Sequence, residues 1–202
     1  MTEGDAPPPG AATHSVPKLT IAALALLIAG LGVVSNVRRS KRRSTRHLSP
    51  PVPAKSVDLD RYLGLWHEFA RYDSWFEHND EGVTAEYSLR PDGLIRVVNV
   101  SRSGSPTGRR RWAEARARVV PGSGNAKLKV AFFGPFFIGN YWVLDHAEDY
   151  AWSIVGEGSR RYLWILTRAA VPPPDLQAML IDRVRSLGYD TTMLHLTQQP
   201  PG

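Results

Sequence analysis

The 202-residue chain contains no cysteine. That absence removes disulfide scaffolds, thiolate zinc and iron–sulfur sites, cysteine nucleophiles and the acylated cysteine that anchors bacterial lipoproteins. Also missing are a Gly-x-Ser-x-Gly elbow, a His-Glu-x-x-His pair and a phosphate-binding glycine loop, so the familiar local signatures of hydrolases and nucleotide enzymes are not there. Six histidines (His14, His47, His67, His78, His146 and His195) are scattered without metal-ligand spacing. Among them His67, His78 and His146 are the first to inspect for a catalytic group assembled from separate strands. The expectation is a protein that is not an enzyme and has no cofactor. With 43% hydrophobic and 22% charged residues, the composition excludes a wholly disordered or collagen-like chain.

The formal charge is +6, and its location matters more than its size. Residues 1–55 hold eight cations against two anions, while residues 56–202 hold 17 of each. The excess belongs to the N-terminal appendage, and no nucleic-acid partner is expected. Residues 1–18 are rich in Pro, Gly and Ala and read as a disordered tail. Residues 19–37 carry no charge, and a helix of that length spans roughly 28 Å, close to a bilayer core. This is a transmembrane helix or a signal segment; Val33 and Ser35 fit a cleavage site, whereas Leu31 stands where a lipoprotein cysteine is required. Arg38, Arg39, Lys41, Arg42, Arg43 and Arg46 follow it. They favour a cytoplasmic position for what comes next and a membrane contact through this basic flank. Residues 38–55 then form a basic, proline-containing linker.

From residue 56 the pattern changes. Eight segments (66–72, 83–89, 94–100, 112–119, 126–132, 141–146, 151–155 and 161–168) are rich in Val, Ile, Tyr, Phe and Trp and are separated by turns such as Pro91-Asp92-Gly93. Alternation is plain in Val83/Ala85/Tyr87/Leu89 opposite Thr84/Glu86/Ser88, in Ala113/Ala115/Ala117 opposite Glu114/Arg116/Arg118, and in Leu128/Val130/Phe132 opposite Lys127/Lys129. One apolar and one polar face repeated over eight strands predicts an antiparallel barrel or sandwich. One helix follows, opened by Pro174, striped by Leu176, Met179, Leu180, Val184 and Leu187, and stopped by Gly188. Residues 192–197 offer a last short strand.

These segments, in this order, resemble the lipocalins, and within them the bacterial outer-membrane and apolipoprotein D-like branch. The resemblance rests on Gly64-Leu65-Trp66, Val83-Thr84-Ala85-Glu86-Tyr87, Ala126-Lys127-Leu128-Lys129-Val130, Tyr141-Trp142-Val143-Leu144-Asp145, Asp149-Tyr150 and Tyr162-Leu163-Trp164-Ile165-Leu166-Thr167-Arg168. It covers nearly all of residues 56–200. The departure is an apparent membrane segment in place of the lipoprotein cysteine. The fold implied is all-β: an eight-stranded antiparallel up-and-down barrel with one C-terminal α-helix, here preceded by a transmembrane helix. By the same resemblance, Gly64, Trp66 and Arg168 close one end of the barrel, with the guanidinium on the indole, and Asp149 and Tyr150 form a second structural signature there.

The function implied is binding, and transport or storage, of a fatty acid or lysophospholipid at the bacterial envelope. Relatives face the periplasm, against the cytoplasmic side favoured by the flanking charge, and homodimers occur among them. An eight-stranded barrel holds one small ligand where its inward side chains leave room. Ala115 marks one open wall. Tyr87, Val130, Phe132, Leu144 and Trp164 are the expected apolar lining, with Trp142 foremost because the family uses an aromatic there. Glu68 shares the parity of Trp66 and is expected to point inward, and Arg71 or Arg96 is placed to meet a head group. The apolar loop Phe133-Gly134-Pro135-Phe136-Phe137-Ile138 is expected near a barrel mouth, touching a ligand tail or a membrane. Competing readings are a haem or pigment carrier, a lipocalin-fold enzyme, and a docking module using Arg109-Arg110-Arg111-Trp112.

Overall fold

The alternating segments form strands because each offers one apolar face to a shared interior, and the turns between them let every strand pair with the next. The computed structural model describes residues 49–74 and 77–200. The tail 1–18, the apolar segment 19–37 and the basic residues 38–48 lie outside the described residues. The strands are β1 (Gly64–Tyr72), β2 (Asp80–Leu89), β3 (Ile95–Ser103), β4 (Arg109–Val119), β5 (Lys127–Ala131), β6 (Gly139–His146), β7 (Trp152–Gly156), β8 (Leu163–Thr167) and β9 (Leu194–Leu196). Successive strands from β1 to β8 pair antiparallel, and β1 pairs with both β2 and β8, which closes the sheet into a barrel.

The connections β1–β2, β3–β4, β5–β6 and β7–β8 gather at one end, the mouth; β2–β3, β4–β5 and β6–β7 gather at the other, the floor. Chain closure is uneven. Pairing of β1 with β2 covers only Gly64 to His67, and beyond it β1 pairs with β9 instead. The C-terminal tail stitches the seam: Gln199 Nε2 donates to the carbonyls of Glu68 (2.8 Å) and Val83 (3.1 Å).

A short helix, α1 (Leu59–Tyr62), plugs the floor, with Asp58 Oδ1 accepting from the amides of Asp60 and Arg61. Trp66 is fully buried beneath it and donates its indole N–H to the Tyr62 carbonyl at 2.8 Å. Arg168 lies 3.8 Å from the indole centroid and donates to the carbonyls of Leu65 (2.7 Å), Arg61 (2.9 Å) and Leu63 (2.9 Å). Gly64 turns the chain between helix and strand at φ +94°, a conformation that an L side chain rarely adopts. Tyr150 completes the floor, accepting from the Asp58 amide at 2.7 Å and stacking on His146. Asp149 caps its own turn through the Ala151 amide.

Outside the barrel, α2 (Pro174–Ser186) lays Leu180 and Val184 on Leu144, Ile154, Leu163 and Ile165. Arg183 Nε fixes it by donating to Asp145 Oδ2 at 2.6 Å. The molecule therefore has two cores: one inside the barrel and one between α2 and the outer faces of β6–β8 and β1. All of their buried residues lie between 57 and 189, so residues 49–202 contain every described side chain that the cores use.

The floor clamp yields the first test. Trp66→Ala is expected to lower unfolding free energy by about 3–5 kcal/mol. Arg168→Ala is expected to lower it by about 1–3 kcal/mol, because three carbonyls lose their donor. Urea unfolding of both variants measures this, and parental stability in either would contradict the clamp.

Candidate functional site

Odd-numbered residues of β2, β3, β4 and β6 and even-numbered residues of β5 face inward, and they leave a cavity of about 110 Å³ in the upper barrel. Its walls are apolar: Ala85, Val97, Ala117, Leu128, Val130 and Leu166. Below lies a tyrosine cluster. Tyr87 Oη donates to Tyr141 Oη at 2.9 Å, and Tyr62 Oη is 2.8 Å from Tyr141 Oη and 3.1 Å from Ser153 Oγ. Burial pushes the Tyr62 hydroxyl up to about 12 and raises those of Tyr87 and Tyr141 further, so all three are neutral across the physiological range. The cavity is thus blind at its lower end and lined there by uncharged, mutually satisfied groups.

The mouth side differs. Glu68 and Arg71 are both buried, and Arg71 Nη1 donates to Glu68 Oε1 at 2.7 Å. Arg71 also donates to Thr197 Oγ1 (3.1 Å) and to the Glu77 carbonyl (2.7 Å), while Thr197 donates its hydroxyl to Glu68. Trp164 Nε1 donates to Glu77 Oε2 at 3.1 Å. Asp80, buried at the cavity edge, pairs with Arg111. Removal from water, reinforced by the neighbouring Glu68 charge and opposed by Arg71, pushes the Glu77 carboxyl up to about 8. No histidine lines this cavity, and no group of three His, Asp or Glu among the described residues is arranged to hold a metal.

Comparison with known proteins agrees with this architecture. The family model for a lipocalin-like domain matches residues 57–199. The chain is a lipocalin. It is 39% identical over 153 residues to temperature-induced lipocalin-1 of Arabidopsis thaliana, covering 72% of this chain and 81% of that protein. It is 37% identical over 160 residues to the outer membrane lipoprotein Blc of Escherichia coli K12, covering 75% and 88%. With mouse apolipoprotein D the identity is 32% over 159 residues, covering 75% and 81%. It falls in the branch that holds the Blc lipoproteins and apolipoprotein D.

Within this lipocalin, Tyr87, Val130, Phe132, Trp164 and Glu68 line the cavity together. Ala115 is inside the barrel and buried but packed over, so Ala117 and Ala85 mark the open wall instead. The positions expected for Trp142 and Leu144 need correction. Both lie outside the barrel: Leu144 is fully buried under α2, and Trp142 packs beside it with Lys127 Nζ 4.0 Å from its ring. Register decides this, because Leu128 pairs with Tyr141 and Val143 with Val155, which puts odd-numbered residues inward. Both faces of 141–144 are apolar since α2 covers the outer one, so no alternation reveals the parity. Arg71 and Arg96, considered for a head group, are already engaged by Glu68 and Glu114. His67, His78 and His146 are apart: His78 pairs with Asp73, His146 stacks on Tyr150, and burial lowers the His67 pKa.

Tyr141, Glu77 and Asp80 were not foreseen as site residues. Tyr141 was hidden by the same missing parity; Glu77 sits in the β1–β2 turn and Asp80 opens β2, and their inward reach follows from tertiary packing alone.

Glu77 gives a pH test. Its folded pKa lies above the ordinary 4.5, so the folded state holds a proton that the unfolded state releases. Its contribution to stability is therefore fully present below pH 4.5 and falls progressively up to pH 8. Glu77→Gln is expected to flatten the decline over that window in denaturation series run at several pH values. An unchanged slope would show that Glu77 ionises freely in the folded state.

Proposed function

We propose that this lipocalin binds an acyl-chain lipid, a fatty acid or a lysophospholipid, as a carrier tethered at the envelope membrane, and that it performs no chemical step. The observation that carries the reading is the blind apolar cavity above a floor of neutral tyrosines. Such a space rewards a hydrocarbon tail and offers nothing to a charged one. Relatives named outer membrane lipoprotein and apolipoprotein D support the lipid class. The tether rests on the uncharged run 19–37 and the basic flank Arg38, Arg39, Lys41, Arg42, Arg43 and Arg46. Among the described residues no helix is long and apolar enough to cross a membrane.

Burying about fifteen methylenes contributes roughly 12 kcal/mol, and association costs several kcal/mol of that, which leaves micromolar to nanomolar affinity. The distal end of the tail occupies the apolar cavity, with the head group toward the mouth.

Tryptophan fluorescence of residues 49–202 titrated with palmitate, and with a lysophospholipid of the same chain, tests this. Saturable quenching is expected, with dissociation constants in the micromolar range or below. Ala85→Phe, which fills the open wall, is expected to weaken binding at least tenfold. Trp142→Phe, outside the barrel, is expected to leave affinity within about twofold. A folded protein that binds neither lipid, or an Ala85→Phe variant that binds like the parent, would refute the reading.

A further inference from the structure

The balance of 17 cations and 17 anions in residues 56–202 conceals a division in space. Residues 95–140, which build β3, β4, β5 and their connections, hold nine cations against the single carboxylate of Glu114. All other residues from 56 onward hold eight cations against sixteen carboxylates. The barrel is a strong dipole with one basic wall.

The register defines that wall. On β4, Arg110, Trp112, Glu114, Arg116 and Arg118 alternate with the buried Ala113, Ala115 and Ala117, so they project outward. Arg102 on β3 pairs with Arg110, and Lys129 on β5 pairs with Arg118, which extends the same outer face to both sides. Glu114 is taken by Arg96 at 2.7 Å. Arg102, Arg109, Arg110, Arg116, Arg118, Lys127 and Lys129 have no carboxylate partner among the described residues. Six of these uncompensated cations project from one outer face of a neutral domain, and Arg109 stands at the mouth end of the same β4 strand.

Apolar groups accompany them. β5 pairs with β4 only as far as Ala131 opposite Arg116, and the chain then folds over the wall: Arg116 Nη2 donates to the Gly134 carbonyl at 2.5 Å, and Phe137 lies under Arg118, 4.8 Å from guanidinium to ring centroid. The same loop leaves Phe133, Phe136 and Ile138 largely exposed, Phe136 at 71%, and Trp112 stands exposed on the wall itself. Contiguous aromatics and an isoleucine flanked by arginines match the interfacial zone of a bilayer with anionic head groups. A nucleic acid would use the arginines and leave Ile138 and Phe136 in water. The chain's course agrees. Arg160, in the β7–β8 connection at the mouth, donates to the Ser49 carbonyl at 2.9 Å, which puts Ser49 at the mouth end of the barrel.

We infer that the outer face of β3–β4–β5, with the loop Phe133-Gly134-Pro135-Phe136-Phe137-Ile138, docks the barrel directly on an anionic phospholipid surface. This contact is separate from any anchor in residues 19–37 and holds whether or not the cavity carries a lipid. The acidic remainder of the barrel is repelled from the same surface, so the dipole sets the orientation and keeps the mouth-side loop at the head groups.

Vesicle co-sedimentation with residues 49–202 tests it, using phosphatidylcholine alone and an equimolar mixture with phosphatidylglycerol. Binding to the anionic vesicles is expected, falling steeply with added salt, with little binding to phosphatidylcholine. Arg109→Gln, Arg110→Gln and Arg118→Gln together are expected to lower the partition coefficient about a hundredfold, since each cation at such a surface contributes about a factor of five. Phe136→Ser with Ile138→Ser is expected to weaken binding as well, whereas Arg185→Gln, exposed on α2, leaves it unchanged. Thermal melts confirm that each variant is folded. Equal binding to both vesicle types, indifference of the triple variant, or binding of single-stranded RNA without vesicle binding would overturn the proposal.

Discussion

Closing one end of the barrel is the constraint on which everything else depends. A cylinder of eight strands is open at both ends, and an apolar interior open at both ends would fill with water or collapse. Here a single arginine resolves this. Arg168 lies flat on the Trp66 indole while its donors hold the carbonyls of Arg61, Leu63 and Leu65, so the short helix α1 is drawn across the opening. The charge does not need a carboxylate, because the π face and the oriented carbonyl dipoles compensate its removal from water. With the floor sealed, Tyr62 is held against Tyr87 and Tyr141, and the cavity above them becomes a pocket with one opening.

The second consequence is a division of labour around the barrel wall. On one side α2 covers β6–β8, so both faces of those strands are apolar and the wall is two layers thick. On the other side β3–β5 are bare, with alanines and valines inside and arginines and lysines outside. The small interior residues of β4 make the room, and the exposed exterior makes the charge. A domain with no net charge thereby acquires a face of one sign, which composition alone could not reveal.

This geometry explains what was legible in the sequence. Strands with one wet face, such as β2, β4 and β5, announce themselves by alternation, and Tyr87, Val130 and Phe132 line the cavity. The helix start at Pro174 and its stop before Gly188 follow from backbone chemistry, which is local. Where α2 covers the outer face, the signal disappears: Trp142 and Leu144 are as hydrophobic as Tyr141 and Val143, and only the pairing register tells the two sides apart. Glu77 and Asp80 were equally invisible, because a carboxylate in a turn or at a strand end is ordinarily solvated, and these two are drawn inward by Arg71, Trp164 and Arg111. The lipocalin order of segments added what periodicity lacked, yet it pointed to the wrong face at position 142.

The central claim is that the interior of the barrel, and not the covered outer core, receives the hydrocarbon tail. Nuclear Overhauser contacts between the chain methylenes of bound palmitate and isotope-labelled methyl groups of residues 49–202 test it most directly. The account predicts contacts to Val97, Leu128 and Val130 and none to Leu144, Leu180 or Val184. Contacts confined to Leu144 and the residues of α2, or the absence of any contact in a saturated complex, would contradict it.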